Sequence, residues 1–444
     1  MSRPKLSDDC FAADRPRLLH AEAIAILSNR IVSATAVSIV PLDAAAGRIL
    51  AQAAVAQHPV PMHTNAAVDG YAFRQADATL HPDESWPIGG RAAAGHPFLG
   101  EPPAGAAVRI FTGAVMPDGL DTVVMQEDTV VAADDGRAGG REGLARVVIP
   151  AGSKRGANVR RAGEDVAEGA TLLDAGAVLR PQDLAALASI GHAGVPVFDR
   201  VRVAIVSSGD EVIRPGSRPL GRGEVYDANA PMLASLAALA GAEVTDLGVW
   251  PDDRAEVERR LADAARQFDV ILTTGGASKG AEDHMAASLD ALGRRHMWQL
   301  AIKPGRPMMF GQIRTGAAES PRDTLMVGLP GNPVAVFVCF LMYVYPLLRR
   351  LGGAPWPEPR RFMLPAAFDF TGRKPGRREF WRGVIETTDA GNMAAGKFAR
   401  DGSGLISGLR IADGLIDIPE DTADVRRGDP VAFIPFTEFG IVGK

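Results

Sequence analysis

Val203-Ala-Ile-Val-Ser-Ser-Gly-Asp-Glu211, Asp269-Val-Ile-Leu-Thr-Thr-Gly-Gly-Ala-Ser-Lys-Gly280 and Thr324-Leu-Met-Val-Gly-Leu-Pro-Gly-Asn-Pro333 decide the fold of this 444-residue chain. Each opens as an aliphatic or β-branched run with almost no polar alternation. That is the pattern of a strand buried on both faces of a parallel sheet. Each run then breaks into Gly, Ser, Thr, Asn or carboxylate residues. In an open α/β sheet such loops gather along the carboxyl edge of the strands, where ligands bind. The spacing predicts a doubly wound, three-layer α/β domain with its site on that edge.

Helical patterns fill the intervals. Met232, Leu233, Leu236 and Leu239 follow Asn229 and stop at Gly241. Asp253-Arg-Ala-Glu256 reads as a capping box, both acidic side chains satisfying orphan amides. Met285, Leu289 and Leu292 mark another helix, and Met297 to Ile302 a further strand. Val334 to Leu348 is wholly apolar but shorter than the roughly 18 residues of a membrane span, so a buried core helix is predicted.

Outward from this centre the character changes. Leu18, Ala21, Ile24 and Leu27 place an amphipathic helix over Arg17–Ser33, followed by a strand at Val37–Leu42 and a helical turn at Ala44–Ala51 leading to Val55. Between His58 and Glu164 helical periodicity fades and short β runs dominate, as in Val108–Phe111, Thr122–Met125 and Arg146–Ile149, which predicts a separate, mostly β region. Within it, Ala132–Gly143 reads as a solvent-projecting hairpin tip. Leu179–Gly191 reads as a helix with Pro181 near its start and Gly191 beyond its end, followed by a strand at Val195–Asp199. Gly353–Pro359 is a stiff Pro-rich linker. From Arg361 to Lys444 short strands and turns predict a small C-terminal β-barrel.

With 46% apolar and 23% charged residues, the composition is that of a globular chain of several domains. A formal net charge of −5 leaves no basic footprint for nucleic acid. The two cysteines, Cys10 and Cys339, support neither a disulfide framework nor a Cys-rich metal site, which suits the cytoplasm. Met1–Arg17 mixes charges and prolines without an apolar segment, so no signal peptide and no membrane partner are expected.

Asp210 and Glu211 follow a strand end, and Asp283 stands where the next helix should begin, beside amide-rich loops that favour an anion. Carboxylates beside phosphate oxygens usually share Mg²⁺ with them. Taken singly, Asp283 also reads as a helix cap and Glu211 as a solvated loop residue. The coincidence of three such loops favours a site. Ile302-Lys-Pro-Gly-Arg-Pro307 presents Lys303 and Arg306 on a rigid turn suited to anion binding. Asp69 and Asp165 also read as turn residues. His284 has no metal-ligand spacing around it.

Together, Val68-Asp-Gly-Tyr-Ala72, Phe111-Thr-Gly-Ala114, Asp121–Glu127, Arg161-Ala-Gly-Glu-Asp165, Ser208-Gly-Asp-Glu211, Thr274–Asp283, Ile302–Pro307, Gly328–Pro333 and Gly376-Arg-Arg-Glu-Phe-Trp-Arg382 resemble the molybdopterin molybdenumtransferases, the MoeA and gephyrin E-domain type. The matching stretches cover nearly the whole chain in the family's order. The resemblance implies the last step of molybdenum cofactor synthesis: adenylylated molybdopterin and molybdate bind, AMP leaves and the metal enters the dithiolene. It implies Mg²⁺, a homodimer with sites between protomers, and contact with other molybdenum cofactor synthesis proteins. It also implies an interleaved plan: a central α/β molybdopterin-binding domain at 17–36 and 200–351, a small linking domain at 37–57 and 166–199, an inserted mostly-β domain at 58–165, and the C-terminal β-barrel at 360–444.

By the same resemblance, Asp69, Asp165, Glu211, Asp283 and Lys303 are catalytic, and Glu211 and Asp283 hold the metal. Thr112, Ser208, Gly209, Asp252, Gly275, Gly276, Ser278, Pro304, Arg306, Pro330, Gly331 and Asn332 border the substrate, and Arg377 and Ser403 match molybdate-binding positions. A doubly charged oxyanion requires such donors, because burying it unpaired is prohibitive. The chain departs from the family pattern at Ser208 (usually Thr), Lys279 (Val), Gln299 (often Lys), Arg306 (often Lys) and Ala335 (Ser). The alternatives are a molybdopterin adenylyltransferase, which shares the central domain, and a non-catalytic scaffold of the same fold.

Overall fold

The computed structural model describes residues 17–132, 145–275, 284–315, 322–388 and 390–443. Its centre is a six-stranded sheet in the order Glu243–Trp250, Arg202–Ser208, Val270–Thr274, Arg322–Leu329, Pro307–Thr315, Gly293–Gln299. The first four strands are mutually parallel. The last two form antiparallel pairs at one edge. Both faces are covered, and the side chains sort by alternation. Val203, Ile205, Val270, Leu272, Val327 and Leu329 face one core with Leu27, Leu233 and Phe340. Ala204, Val206, Ile271 and Met326 face the other with Val257, Leu261, Met285 and Leu289. The unalternating runs are therefore strands between two helical layers, as their composition predicts.

Asn229–Leu239 and Arg254–Gln267 are helices. Asp253 Oδ1 accepts the Glu256 amide at 2.8 Å. Only half of the expected box forms, because Glu256 Oε1 instead accepts from Arg260 Nε at 2.7 Å. The apolar segment Pro333–Leu351 is long and apolar enough to cross a membrane, and 89% of its most apolar window is buried inside the protein, as in a core helix. Its middle turn, Phe340–Val344, is π-helical. Pro346, which has no amide hydrogen to continue the α ladder, stands two residues beyond it.

Two sequence expectations need correction. Ala44–Ala51 is not helical: a single 3-10 turn covers Leu42–Ala44, Gly47 lies at φ 72°, and Ile49 and Leu50 enter isolated β-bridges. The left-handed glycine ends what apolar spacing suggested would continue. The Met297–Ile302 strand starts earlier, at Gly293, and ends at Gln299, while Ile302–Lys303 is a separate short strand. The predicted hairpin tip falls almost wholly on 133–144, outside the described residues.

Val37–Pro41 pairs antiparallel with Gly194–Phe198, and Ala54–Val55 with Thr171–Leu173. The region between holds a six-stranded sheet ordered Thr122–Met125, Gly70–Phe73, Ala107–Ile110, Ser85–Ala92, Arg146–Val148, Val130–Ala132. The C-terminal sheet runs Ile302–Lys303, Arg378–Thr387, Gly414–Ile418, Pro430–Pro435, Phe362–Pro365, with Met393–Lys397 also on Arg378–Thr387. A short helix, Ser407–Ile411, was not apparent from sequence. Because Ile302–Lys303 belongs to this sheet, the central and C-terminal parts of the chain are stitched together beside the rim.

Candidate functional site

Parallel pairing puts Ser208, Thr274 and Leu329 at one edge, and the three loops that follow touch each other or their neighbours. Gly275 has φ 82°, and a Cβ there would stand 2.5 Å from the Ser208 carbonyl oxygen. Glycine alone tolerates that approach and that backbone. Asn229 Nδ2 donates to the Gly331 carbonyl at 2.7 Å, which fixes the third loop against a helix start. The Val334 amide donates to the Ser403 carbonyl at 3.0 Å, and Asn332 Oδ1 lies beside Gly404. Ser208, Gly209, Gly275, Pro330, Gly331, Asn332 and Ser403 thus share one rim. Gly276, Ser278 and Asp283 lie outside the described residues, as does Lys279.

Asp227 and Asn229 organise this rim and were not picked out from sequence. Asp227 is 4% exposed. It accepts from Ser207 Oγ at 2.5 Å and from the Asn229 and Ala230 amides at 3.1 and 3.0 Å. Arg214 pairs with it at 3.2 Å. The available signal was an Asp two residues before an Asn-initiated apolar helix, the chemistry of an N-cap.

One end of the rim is acidic. Asp210, Glu211 and Asp252 are all exposed. Partial desolvation pushes the Asp252 carboxyl above its ordinary range. The Asp210 charge adds to that, the Asp210 amide and His284 oppose it, and Glu211 raises it further. The like charges of Asp210 and Glu211 thus add to desolvation in disfavouring the ionised Asp252. Among the described residues, no group of three or more His, Cys, Asp or Glu side chains is assembled to enclose a metal ion.

The other end is cationic and built around a buried carboxylate. Lys303 and Glu379 are register partners on adjacent parallel strands. Lys303 Nζ lies 3.4 Å from Glu379 Oε2, and Arg377 Nε 3.1 Å from Glu379 Oε1. Arg373 Nε is 3.5 Å from that same oxygen. Trp381 Nε1 donates to Glu379 Oε2 at 2.9 Å. Burial alone would raise the Glu379 carboxyl, but the Trp381 hydrogen bond and the Lys303 and Arg377 charges hold it below the usual range. Lys303 joins Pro304 through a cis peptide, and Gly305 (φ 106°) packs on Cys339. Arg306 is exposed and its Nη2 donates to Gln299 Oε1 at 3.4 Å, so Gln299, where the family often has a lysine, serves as an acceptor. Ala335 is buried at 3% exposure and faces no solvent.

Asp69, Thr112 and Asp165 stand apart, in or beside the inserted sheet. Asp69 Oδ1 accepts from the Thr112 amide at 2.8 Å and from its hydroxyl at 2.7 Å. Those two bonds hold the half-buried Asp69 carboxyl below its ordinary range. Asp165 is exposed, with its amide on the Val60 carbonyl. Among the described residues, none of these three bonds to a rim side chain.

Residues 19–191 match the MoeA N-terminal region (domain I and II), 204–350 a probable molybdopterin binding domain, and 364–436 the MoeA C-terminal region (domain IV). The molybdopterin molybdenumtransferase of Haemophilus influenzae is 36% identical over 396 residues, covering 89% of this chain and 93% of that one. The chain belongs to the molybdopterin molybdenumtransferase family. Molybdopterin molybdenumtransferase 2 of Mycobacterium tuberculosis is 34% identical over 399 residues, 88% of this chain and 92% of its own. The crystal structure of the molybdopterin biosynthesis moeA protein from Pyrococcus horikoshii OT3 superposes with a TM-score of 0.77 at 29% identity, covering 94% of this chain and all of that chain. The family's fold is accordingly the multidomain, mixed α/β one seen here.

Proposed function

We infer that this chain is an enzyme of molybdenum cofactor biosynthesis that inserts molybdenum into molybdopterin. The observation that carries the reading is one sheet edge with an acidic end at Asp210, Glu211 and Asp252 and a cationic end at Lys303 and Arg377. An adenylyltransferase is not favoured, since the similarity runs through the N-terminal and C-terminal regions as well as the central domain, and a pure scaffold is not favoured, since the similar curated proteins are molybdopterin molybdenumtransferases.

In finer detail, the substrates are adenylylated molybdopterin and molybdate, and the phosphoanhydride is cleaved with release of AMP. The loop amides around Ser208–Gly209 and Gly275–Gly276 receive phosphate oxygens, with Ser278 and Pro330–Asn332 bordering the pterin. Lys303, Arg377 and Ser403 receive the oxyanion, and Pro304 and Arg306 shape the turn beside it. Glu211 and Asp283 would hold Mg²⁺, and the desolvation that raises Asp252, with the added charges of Asp210 and Glu211, is what a hard cation would relieve. Such an ion would neutralise charge on the anhydride when bound. Asp69, with Thr112, and Asp165 orient substrate from the inserted sheet, which suits a homodimer in which that sheet serves the partner's rim.

The four-domain plan with boundaries at 17–36 and 200–351, 37–57 and 166–199, 58–165 and 360–444, and the barrel form of the last, belong to the same proposal. So do a cytoplasmic location and contact with other cofactor-synthesis proteins. Supplying adenylylated molybdopterin with and without molybdate tests the reading. Molybdate-dependent AMP release, abolished in Asp283→Ala without loss of fold, is expected. Release indifferent to molybdate contradicts the reaction, and a wild-type rate in the variant contradicts the role given to Asp283.

A further inference from the structure

Glu379 is 1% exposed, yet every group it meets is a cation or an N–H donor. A buried carboxylate requires such pairing, and a structural ion pair alone would meet that need. Exposure separates its partners into two kinds. The Arg373 side chain is 2% exposed and is fixed by the Glu420, Thr422 and Arg377 carbonyls. The Lys303 and Arg377 side chains are 44% and 43% exposed. One Glu379 oxygen holds Lys303 from the central region, and the other holds Arg377 from the C-terminal sheet. The half-exposed cations are thus clamped from behind while their outer faces stay open. Lys303, Arg373 and Arg377 against Glu379 leave two positive charges uncompensated, which matches a tetrahedral dianion.

We propose that Glu379 is a positioning residue of the oxyanion site. It spaces Lys303, on the strand that the central region lends to the C-terminal sheet, and Arg377 so that both address one molybdate ion. The inference rests on the reading of Lys303 and Arg377 as the molybdate end of the rim. Pre-set donors spare the ligand the entropy of ordering two long side chains, so the loss of Glu379 should weaken oxyanion binding even though it removes a negative charge.

Full-length wild type, E379Q, E379D and W381F are titrated with sodium molybdate by calorimetry, and AMP release is followed against molybdate and adenylylated molybdopterin separately. E379Q is expected to bind molybdate about tenfold more weakly or worse, the scale of one lost charged contact. Its molybdate half-saturation should rise equally, while the rate at saturating molybdate and the half-saturation for adenylylated molybdopterin stay within about threefold, below half a tenfold step in free energy. E379D should recover most of the affinity. W381F, which removes the hydrogen bond to Glu379 and keeps the charge, should weaken binding by about two- to fivefold, and it serves should E379Q fail to fold. Unchanged or tighter molybdate binding in E379Q, or in W381F where that variant stands in, overturns the proposal. So does a parallel loss of rate and of both half-saturations. Wild type that binds molybdate without releasing AMP defeats the assigned reaction and leaves the binding comparison to judge Glu379. Wild type that binds no molybdate defeats both.

Discussion

The acidic and cationic ends of the rim differ in how their charges are held. Asp210, Glu211 and Asp252 are exposed, and Asp252 is pushed up by desolvation and by its acidic neighbours. Lys303 and Arg377 are set by a Glu379 carboxylate that is itself buried, hydrogen-bonded by Trp381 and backed by Arg373. Among the described residues, the first end gathers like charges at the solvent boundary, whereas the second holds its cations against a buried counter-charge. A site that brings an anhydride and an oxometallate together needs both. On the proposed reading, substrate and metal would complete the solvated end, and the fixed end would set where the incoming oxyanion sits.

The strongest way to break this contrast is at Lys303. Lys303→Ala removes a pre-set donor and leaves Glu379 short of one counter-charge, so molybdate-dependent AMP release should fall by about 10²- to 10³-fold. A loss under about threefold, measured in the same assay, would mean the cationic end is not part of the site.

Acidification probes the seam on which that rigidity depends. His20 donates or accepts at Tyr343 Oη across 2.8 Å and stacks edge-on to Phe380, the neighbour of Glu379. Burial, then the Arg378 charge, pulls its imidazole down to about 4, with Asp417 opposing. The folded state therefore binds fewer protons than the unfolded chain. The stabilisation is complete above the unfolded value near 6.5 and is lost as pH falls from there toward about 4. The loss approaches roughly 3 kcal/mol. Thermal melts between pH 7 and pH 4.5 should show wild type losing more than His20→Gln; parallel losses would remove His20 from the account.

Gly275→Ala sharpens the contrast at the loops themselves. A Cβ at 2.5 Å from the Ser208 carbonyl, on a backbone with φ 82°, should cost roughly 1–3 kcal/mol and spread the first two loops. Denaturant unfolding measures it, and a neutral result would show that these loops are not tightly apposed. The smallest effect belongs to the open end. Because the Asp252 carboxyl is raised on folding, its ionised form carries a penalty at neutral pH that Asp252→Asn relieves. Stability without metal should stay within roughly 0.5 kcal/mol of wild type or rise slightly, while any stabilisation by added Mg²⁺ should diminish. A clear destabilisation of the metal-free protein would mean Asp252 is a structural cap.

Much of this was legible in the chain because its physics is local. The unalternating runs at Val203, Val270 and Leu325 can only be satisfied between two layers, and Gly191 and Gly241 end their helices at φ 88° each. Asp69 and Thr112, each matched by resemblance alone, meet in a double hydrogen bond that the resemblance did not anticipate. Ala44–Ala51 misled because apolar spacing outweighed one glycine. The role of Glu379 was not legible at all. It lies inside a charged motif, and its burial follows from a parallel pairing with Lys303 that no local pattern encodes. Asp227 was missed for a similar reason, since Ser207 and Arg214 reach it only once the first loop has folded.

The central claim is that the cationic corner of the rim receives the oxometallate. Crystals soaked in molybdate and measured at the molybdenum absorption edge locate that metal directly. The account predicts an anomalous peak within hydrogen-bonding reach of Lys303, Arg377 and Ser403. A well-occupied peak elsewhere, with that corner empty, would contradict it.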